Sequence, residues 1–376
     1  MVQFTFNSKR IECVEFRSRN FFLLHKIKLF PKLTVMKDIT LKEIASTLGI
    51  SITTVSKALK NYPDVSEKTK NAVKELAQNL HYTPNSFAVN LRTKESKTIG
   101  LIIPEVTHHF FSNIINAIID EAEKNGYLVI ILQSSEKLEL EKKQVDLLIN
   151  KRVDGILMSL SNESNNDSHI QEIINRKIPL VMFDKIAKLA KCSKVIIDDQ
   201  KAGFNATQHL IDNGCKKIAH IRGPLNPQNS IDRYLGYKKA LEKNNIPFDS
   251  KLVYTCEKVS FEEGKDFTQQ LFEEHPDVDG IFAITDLVAV GTIAYCNEQK
   301  INVPQEVKVI GFSNWFMSQV ITPKLSTVEQ PSHSMGKTAF NLLLEEITSK
   351  KGESEFTPRT IELDTQIIER ESSIFL

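Results

Sequence analysis

The spacing of hydrophobic and polar residues changes character once along the chain, near residue 98. Before it, apolar positions recur at helical intervals. "TLKEIASTLG" puts Leu41, Ile44, Ala45 and Leu48 on one face, with Thr40 as N-cap and Glu43 three residues on, the pattern of a capping box. Gly49 ends that helix. "SITTVSKAL" predicts a second, short helix with Ser51 as its cap. "SEKTKNAVKELAQNLHY" predicts a third, with Ser66 as cap, Thr69 in the capping-box position, and Val73, Leu76, Ala77 and Leu80 as the buried stripe. Pro84 stops it. Asn85 to Leu91 has the length for two helical turns, marginal alone in water, and "RTKESKT" reads as a polar hinge.

From residue 98 apolar, β-branched runs alternate with amphipathic helices: "TIGLIIP", "YLVIILQ", "DGILMSL", "PLVMFD", then "KIAHIRG", "LVYTC", "DGIFAIT" and "VKVIGFS". Continuous apolar strands between helices predict buried parallel strands in βαβ units. "VDGILMSL" at 153–160 and "VDGIFAIT" at 278–285 nearly repeat, which predicts two similarly built lobes, each a doubly wound sheet. Ligands of such sheets sit at the carboxyl ends of the strands.

The composition, 41% hydrophobic and 25% charged, is that of an ordinary globular chain, and its 376 residues allow two or three domains. Charge is unevenly placed. Residues 1–35 carry +5, residues 36–96 carry +3 and residues 97–376 carry −7. A basic head on an acidic body suits a nucleic-acid binder. Five isolated cysteines (13, 192, 215, 256, 296) with no C-x-x-C pair argue against a disulfide framework or zinc site and for a reducing, cytoplasmic setting. No apolar run reaches a membrane span, and "FFLLHKIKLF" is broken by cations with no cleavage site after it. Residues 1–35 read as an unstructured extension preceding the true start at Met36, or alternatively as a basic arm for phosphates.

Ala45, Gly49 and Val55 have helix-turn-helix spacing: a small residue for close approach, a tight turn, then an apolar anchor. The second helix then enters the DNA major groove. That explains an exposed face of hydroxyls and one cation, with no acid. Thr53 and Thr54 are short enough to reach base edges, and Lys57 can reach guanine or phosphate. Spacing alone leaves an ordinary surface helix open.

The motifs T-x-x-[ED]-[IV]-A at 40–45, G-[IV]-S at 49–51, T-V-S-[RK]-x-L at 54–59, V-S-x-x-T at 65–69 and Y-x-P-N-x-x-A-x-x-L at 82–91 appear in order. Over 36–370 the chain resembles the lactose-repressor/galactose-repressor family of bacterial transcription regulators. The resemblance implies a helix-turn-helix head at 36–83, a hinge helix and linker at 84–97, and a two-lobed α/β core at 98–376 of periplasmic-binding-protein type, with two doubly wound parallel sheets. Lobe 1 is expected over about 98–197 plus 329–352, and lobe 2 over about 198–328 plus 353–376. It implies DNA contacts from Ser51, Ile52, Thr53, Thr54, Lys57, Asn61, Tyr82, Asn85 and Ala88, with Leu91 wedged into a central base step of a palindromic operator. Lysine at 57, where many members carry arginine, lacks the bidentate fork.

The resemblance also implies an effector cleft. Phe110 and Phe111 match a cleft-lining N-P-F-F stretch, with His108 and His109 in place of N-P. These read as loop histidines, since no third metal ligand is evident. Arg233 matches the basic clamp in R-x-x-G-[YF], with Asn229 nearby. Asp286 is expected to accept hydrogen bonds from vicinal hydroxyls, Asp198 lies with Asp199 at the lobe crossover, and Asp184 ends a strand. Ser313 and Asn314 replace a usual acidic pair, and Trp315, the only tryptophan, follows. Its indole suits a sugar face, with a buried lobe residue as the plainer alternative. Val259 falls where many members place a stacking aromatic, so Trp315 or Phe261 is expected to compensate.

A sugar, sugar acid or sugar phosphate is the expected effector, with operator DNA and a second copy of the chain as partners and no membrane. The dimer is expected to pair outer lobe faces, including helices 112–123 and 138–149, and effector closure to reset the separation of the hinges. G-x-x-x-x-G-K-[ST], G-x-G-x-x-G and G-x-S-x-G are all absent, so no enzyme, cofactor or metal site is expected. A periplasmic solute-binding protein and a regulator switched by a protein co-regulator are the rival readings.

Overall fold

The computed structural model describes residues 39–82, 95–107, 109–352 and 356–374. The chain forms two compact units, a head and a core. Asn85, Ala88, Leu91 and His108 lie outside the described residues.

In the head, α1 (Leu41–Leu48), α2 (Ile52–Leu59) and α3 (Glu67–Asn79) enclose one small apolar cluster. The capping box closes as expected: the Thr40 N–H donates to Glu43 Oε2 (2.7 Å) and the Glu43 N–H to Thr40 Oγ1 (3.3 Å). Gly49 stands at φ +63°, a left-handed backbone that β-carbon sterics disfavour, and its N–H caps the Ala45 carbonyl. That turn swings α2 across α1, so Val55 and Ala58 bury against Ile44 and Ala45. Val73 and Ala77 of the α3 stripe are buried, while Leu76 and Leu80 pack at its margin.

The core elements run β1 (Thr98–Ile103), α4 (His109–Lys124), β2 (Leu128–Gln133), α5 (Leu138–Lys151), β3 (Gly155–Met158), α6 (Ser168–Asn175), β4 (Leu180–Phe183) and β5 (Ser193–Ile197). The second lobe follows with α7 (Asp199–Asp212), β6 (Ile218–Arg222), α8 (Gln228–Lys243), β7 (Val253–Thr255), α9 (Phe261–Glu274), β8 (Gly280–Ala283), α10 (Asp286–Gln299), β9 (Lys308–Phe312), α11 (Met317–Val320) and β10 (Ser326–Glu329). The chain returns to lobe 1 as α12 (Ser332–Lys351) and β11 (Thr360–Leu363), then crosses again to β12 (Gln366–Ile368). The strand orders are β2-β1-β3-β4-β5-β11 and β7-β6-β8-β9-β10-β12, the same winding twice, parallel except for the β10–β12 pair.

The repeated "VDG" has one job in both lobes. Val153 and Val278 are buried, and Gly155 and Gly280 open the central strands β3 and β8. Asp154 accepts from the N–H groups of Ser96 and Lys97 at the start of β1 (2.7 and 3.0 Å). Asp279 accepts from Lys216 and Lys217 at the start of β6 (2.8 Å each). Each aspartate thereby satisfies backbone donors that the parallel ladder leaves unpaired at its amino edge.

Two expectations about the elements change. Residues 353–376 do not belong wholly to lobe 2, because β11 pairs in parallel with β5. The final crossover comes only between Leu363 and Gln366. The helices foreseen at 112–123 and 138–149 run longer, as α4 and α5.

Close packing of α7 on α8 sets up the chemistry that follows. A β-carbon at Gly236 would meet the Gln200 carbonyl at 2.2 Å, and one at Gly203 would meet the Arg233 carbonyl at 2.5 Å. Gly236→Ala should therefore push the helices apart and cost about 1–3 kcal/mol in urea unfolding of the core. An unchanged midpoint would show that the two helices can separate freely.

Candidate nucleic-acid interface and interlobe cleft

In the head, Ser51 caps α2: its Oγ accepts from the Thr54 N–H at 3.0 Å and lies 2.8 Å from Thr54 Oγ1. Thr54 is thus tied to the cap, which makes it a support for α2 rather than a free base reader. Ile52, 47% exposed, and Thr53 present the open face. Asn61 is exposed at φ +57°, in the turn after α2, and Tyr82 packs at the margin of the head cluster, where burial raises its phenol.

The sequence gives α2 no acid, but the fold brings one to it. Lys57 Nζ pairs with Asp64 from the following loop. The pair raises the lysine and lowers the aspartate, through their hydrogen bond first. Both are exposed, so DNA phosphate would compete for the ammonium. Asp64→Asn should raise DNA affinity a few-fold and steepen its salt dependence, read by fluorescence anisotropy at two ionic strengths. Identical curves would show that Lys57 stays away from the duplex.

At the carboxyl ends of the two sheets lies a pocket of about 120 Å³. Lobe 1 lines it with Glu105, Thr107, His109 and Phe110, and lobe 2 with Asp286, Leu287, Phe312, Ser313 and Trp315. Glu105 and Thr107 follow β1, and Phe110 lies in the first turn of α4. Phe111 does not line the pocket: it is buried in the core cluster, edge-on to Phe110 at 5.2 Å. Val259 packs on the second lobe's core and Phe261 opens α9, so Trp315 is the residue that supplies an indole face.

Trp315 is held by its backbone. Ser313 and Asn314 take φ of +105° and +50°, which turns the chain sharply at the end of β9. The Trp315 N–H then donates to Asp286 Oδ2 at 2.6 Å, and Thr327 Oγ1 donates to Asp286 Oδ1 at 2.6 Å. Asp286 is 1% exposed, and burial pushes its carboxyl up to about 7. Each oxygen already accepts one bond, so Asp286 positions Trp315 first and meets any ligand second. Asn314 is also engaged away from the pocket: it donates to Glu329 Oε1 (2.9 Å) and accepts from Arg370 (2.8 Å).

Because folding raises Asp286 above the usual carboxylate range, the folded core favours its protonated form. That contribution to stability is lost as pH rises through 7. The emission of Trp315 should titrate near pH 7 and stay flat in Asp286→Asn. A titration surviving in the variant would assign it to another group.

The crossover holds the third group. Asp198 is the N-cap of α7, accepting from the Lys201 N–H at 2.8 Å, and does not line the pocket. Its neighbour Asp199, expected beside it at the crossover, is the buried partner. Arg233, 4% exposed, donates through Nε to Asp199 Oδ1 (2.8 Å) and through Nη1 to the Ile284 carbonyl (3.1 Å). Its guanidinium lies on the Phe312 ring at 3.6 Å. Burial pushes the Asp199 carboxyl up to about 7, against the pull of Arg233. Asp184, at φ +55° after β4, accepts from Asn229 Nδ2 of α8 at 3.3 Å, a hydrogen bond from one lobe to the other. Burial raises its carboxyl too.

Among the described residues no group of three or more His, Cys, Asp or Glu side chains is placed to hold a metal, and His109 Nε2 lies 3.2 Å from Asn113 Nδ2. No described helix is long and apolar enough to cross a membrane.

Comparison with known proteins agrees with this geometry. Residues 40–85 match the family model "Bacterial regulatory proteins, lacI family", and residues 96–366 match "Periplasmic binding proteins and sugar binding domain of LacI family". The ribose operon repressor of Halalkalibacterium halodurans is 31% identical over 89% of this chain and 97% of its own. Catabolite control protein A of Priestia megaterium is 31% identical over 81% of this chain and 92% of its own. Among solved structures, a complex of the transcriptional regulator CelR with cellobiose covers 89% of this chain and 99% of its own, at TM-score 0.68 and 26% identity. The lac repressor dimer bound to operator covers 90% of this chain and 100% of its own, at TM-score 0.80 and 23% identity, and shares the fold. With a helix-turn-helix head and a two-lobed core in one chain, the protein belongs to the LacI family of bacterial transcription regulators.

Proposed function

We propose that this regulator is a repressor of carbohydrate-utilisation genes that binds a palindromic operator as a homodimer and is switched by a small sugar-type effector in the interlobe cleft. The observation that carries the reading is the cleft itself. Trp315 and Phe110 supply flat apolar faces from opposite lobes, and Glu105, Thr107 and Ser313 supply hydrogen-bonding groups around them. Alternating apolar face and polar edge is what a pyranose or furanose presents. A ligand touching both lobes stabilises their closed arrangement over the open one, and that difference in affinity is the source of the switch. Exposed apolar residues on the outer side of lobe 1, Ile119 of α4, Leu128 and Ile131 of β2 and Leu147 of α5, support pairing with a second copy.

Selection from a random DNA pool tests the reading, with the intact protein beside a Leu91→Ala variant and with and without a carbohydrate panel. A palindromic site whose enrichment depends on Leu91 and changes with one sugar is the expected result. Enrichment indifferent to every sugar, with a protein co-regulator restoring control, would give the cleft reading up.

A further inference from the structure

We infer that the effector carries no negative charge: the cleft takes a neutral polyhydroxyl ligand and rejects its phosphate ester or its uronic acid. This rests on the reading of the cleft as a sugar site and narrows it. An arginine at such a site would ordinarily invite an anion. Here the invitation is already answered. Arg233 is buried, its Nε is held by Asp199 at 2.8 Å, its Nη1 by the Ile284 carbonyl, and its flat face by Phe312. It does not line the pocket, whereas Phe312, on which it lies, does.

Two other cations near the strand ends are committed in the same way. Lys185, beside Asp184, reaches Glu136 (2.7 Å) and Asn162 (2.8 Å). Arg370 is bound to Asn314, Ser318 and the Leu325 carbonyl. Arg222, at the end of β6, is different: it is stacked on Tyr234 at 4.4 Å and its buried Nε has no hydrogen-bond partner, but it does not line the pocket. Among the described residues the lining contains two carboxyl groups, Glu105 and Asp286, and no lysine or arginine. Around it, residues 97–376 carry −7, so the field of the whole core also opposes an anion. A phosphate in this pocket would face the Glu105 carboxylate with no cation of the lining to meet it, and in a partly desolvated cleft such a repulsion is worth roughly 10- to 100-fold in affinity.

The experiment titrates the emission of Trp315 in the full chain with matched pairs: ribose and ribose 5-phosphate, glucose and glucose 6-phosphate, glucose and glucuronate, cellobiose and its phosphate ester. The expected result is binding by at least one neutral member, with its charged counterpart weaker by tenfold or more. The same titration in Asp199→Asn, which releases Arg233 from its counter-charge, should narrow that gap. A phosphate ester or uronate that binds as tightly as its neutral parent overturns the inference and leaves the sugar cleft standing. Failure of every compound, neutral and charged, overturns both. A gap that stays the same in a folded Asp199→Asn protein removes Arg233 neutralisation as its cause and overturns the argument made from it. The wild-type series decides the charge sign by itself should the variant not fold.

Discussion

Arg233→Met should destabilise the core by about 3–5 kcal/mol in urea unfolding followed by Trp315 emission, the scale for breaking a buried ion pair by removing one partner. Three contacts go at once in the structure: the bond to Asp199, the bond to the Ile284 carbonyl and the stacking on Phe312. The larger part of the cost is the orphaned Asp199, left buried without a counter-charge. The sign of its pH dependence follows. Asp199 already titrates near 7 with Arg233 beside it, and without the arginine its folded-state value rises further from the unfolded range. The folded variant then holds a proton that the unfolded chain releases, so its stability falls as pH rises. The loss should be smaller at pH 6 than at pH 8. Adding Asp199→Leu should return most of the stability, because two apolar groups replace the pair. A double variant no better than the single one would mean that the stacking on Phe312, rather than the ion pair, is what the core needs.

Thr53→Asp should separate folding from DNA binding. Thr53 is exposed in the first turn of α2, where a carboxylate suits the helix dipole and adds about 0.3–1 kcal/mol to the helix. The same charge meets phosphates and base-edge acceptors if this face enters the major groove. Operator affinity should fall by about 1–3 kcal/mol for each head, so a dimer engaging two half-sites loses the product of the two factors. The melting temperature of the head should hold or rise. Retained affinity would mean that α2 does not present Thr53 to DNA, and a melted head would mean that the hydroxyl has a structural partner.

The head was legible because its determinants are local. A cap, its partner three residues on, a left-handed glycine and a stripe at helical spacing lie within one or two turns of each other, so Thr40, Glu43, Gly49 and Ser51 act as their spacing predicts. The two-lobed plan was legible for the same kind of reason, since long apolar β-branched runs can be buried on both faces only as central strands. The strands absent from that reading are β5, β10, β11 and β12: β5 is only five residues long, and β10, β11 and β12 carry Ser326, Thr327, Thr360, Glu362 and Gln366, so that the neighbouring strand makes them strands.

The site divides along the same line. Motif positions identified Arg233, Asp286 and Trp315 as residues of the cleft region, because strand ends and helix starts place them there whatever they touch. What each one does was set by partners far away in the chain. Arg233 finds Asp199 across 34 residues, Asp286 finds Thr327 across 41, and Lys57 finds Asp64 through a loop. Asp198 and Asp199 are equivalent as letters, but one caps a helix in partial contact with solvent and the other turns into the core. Sequence by itself determined most of the elements and their order, because these follow from short-range periodicity and capping, and the family, because its motifs are local. The tertiary structure decided which charges are spent and which remain for a ligand, because a charge is neutralised by whatever the fold brings within about 3 Å of it, and no local pattern specifies that neighbour.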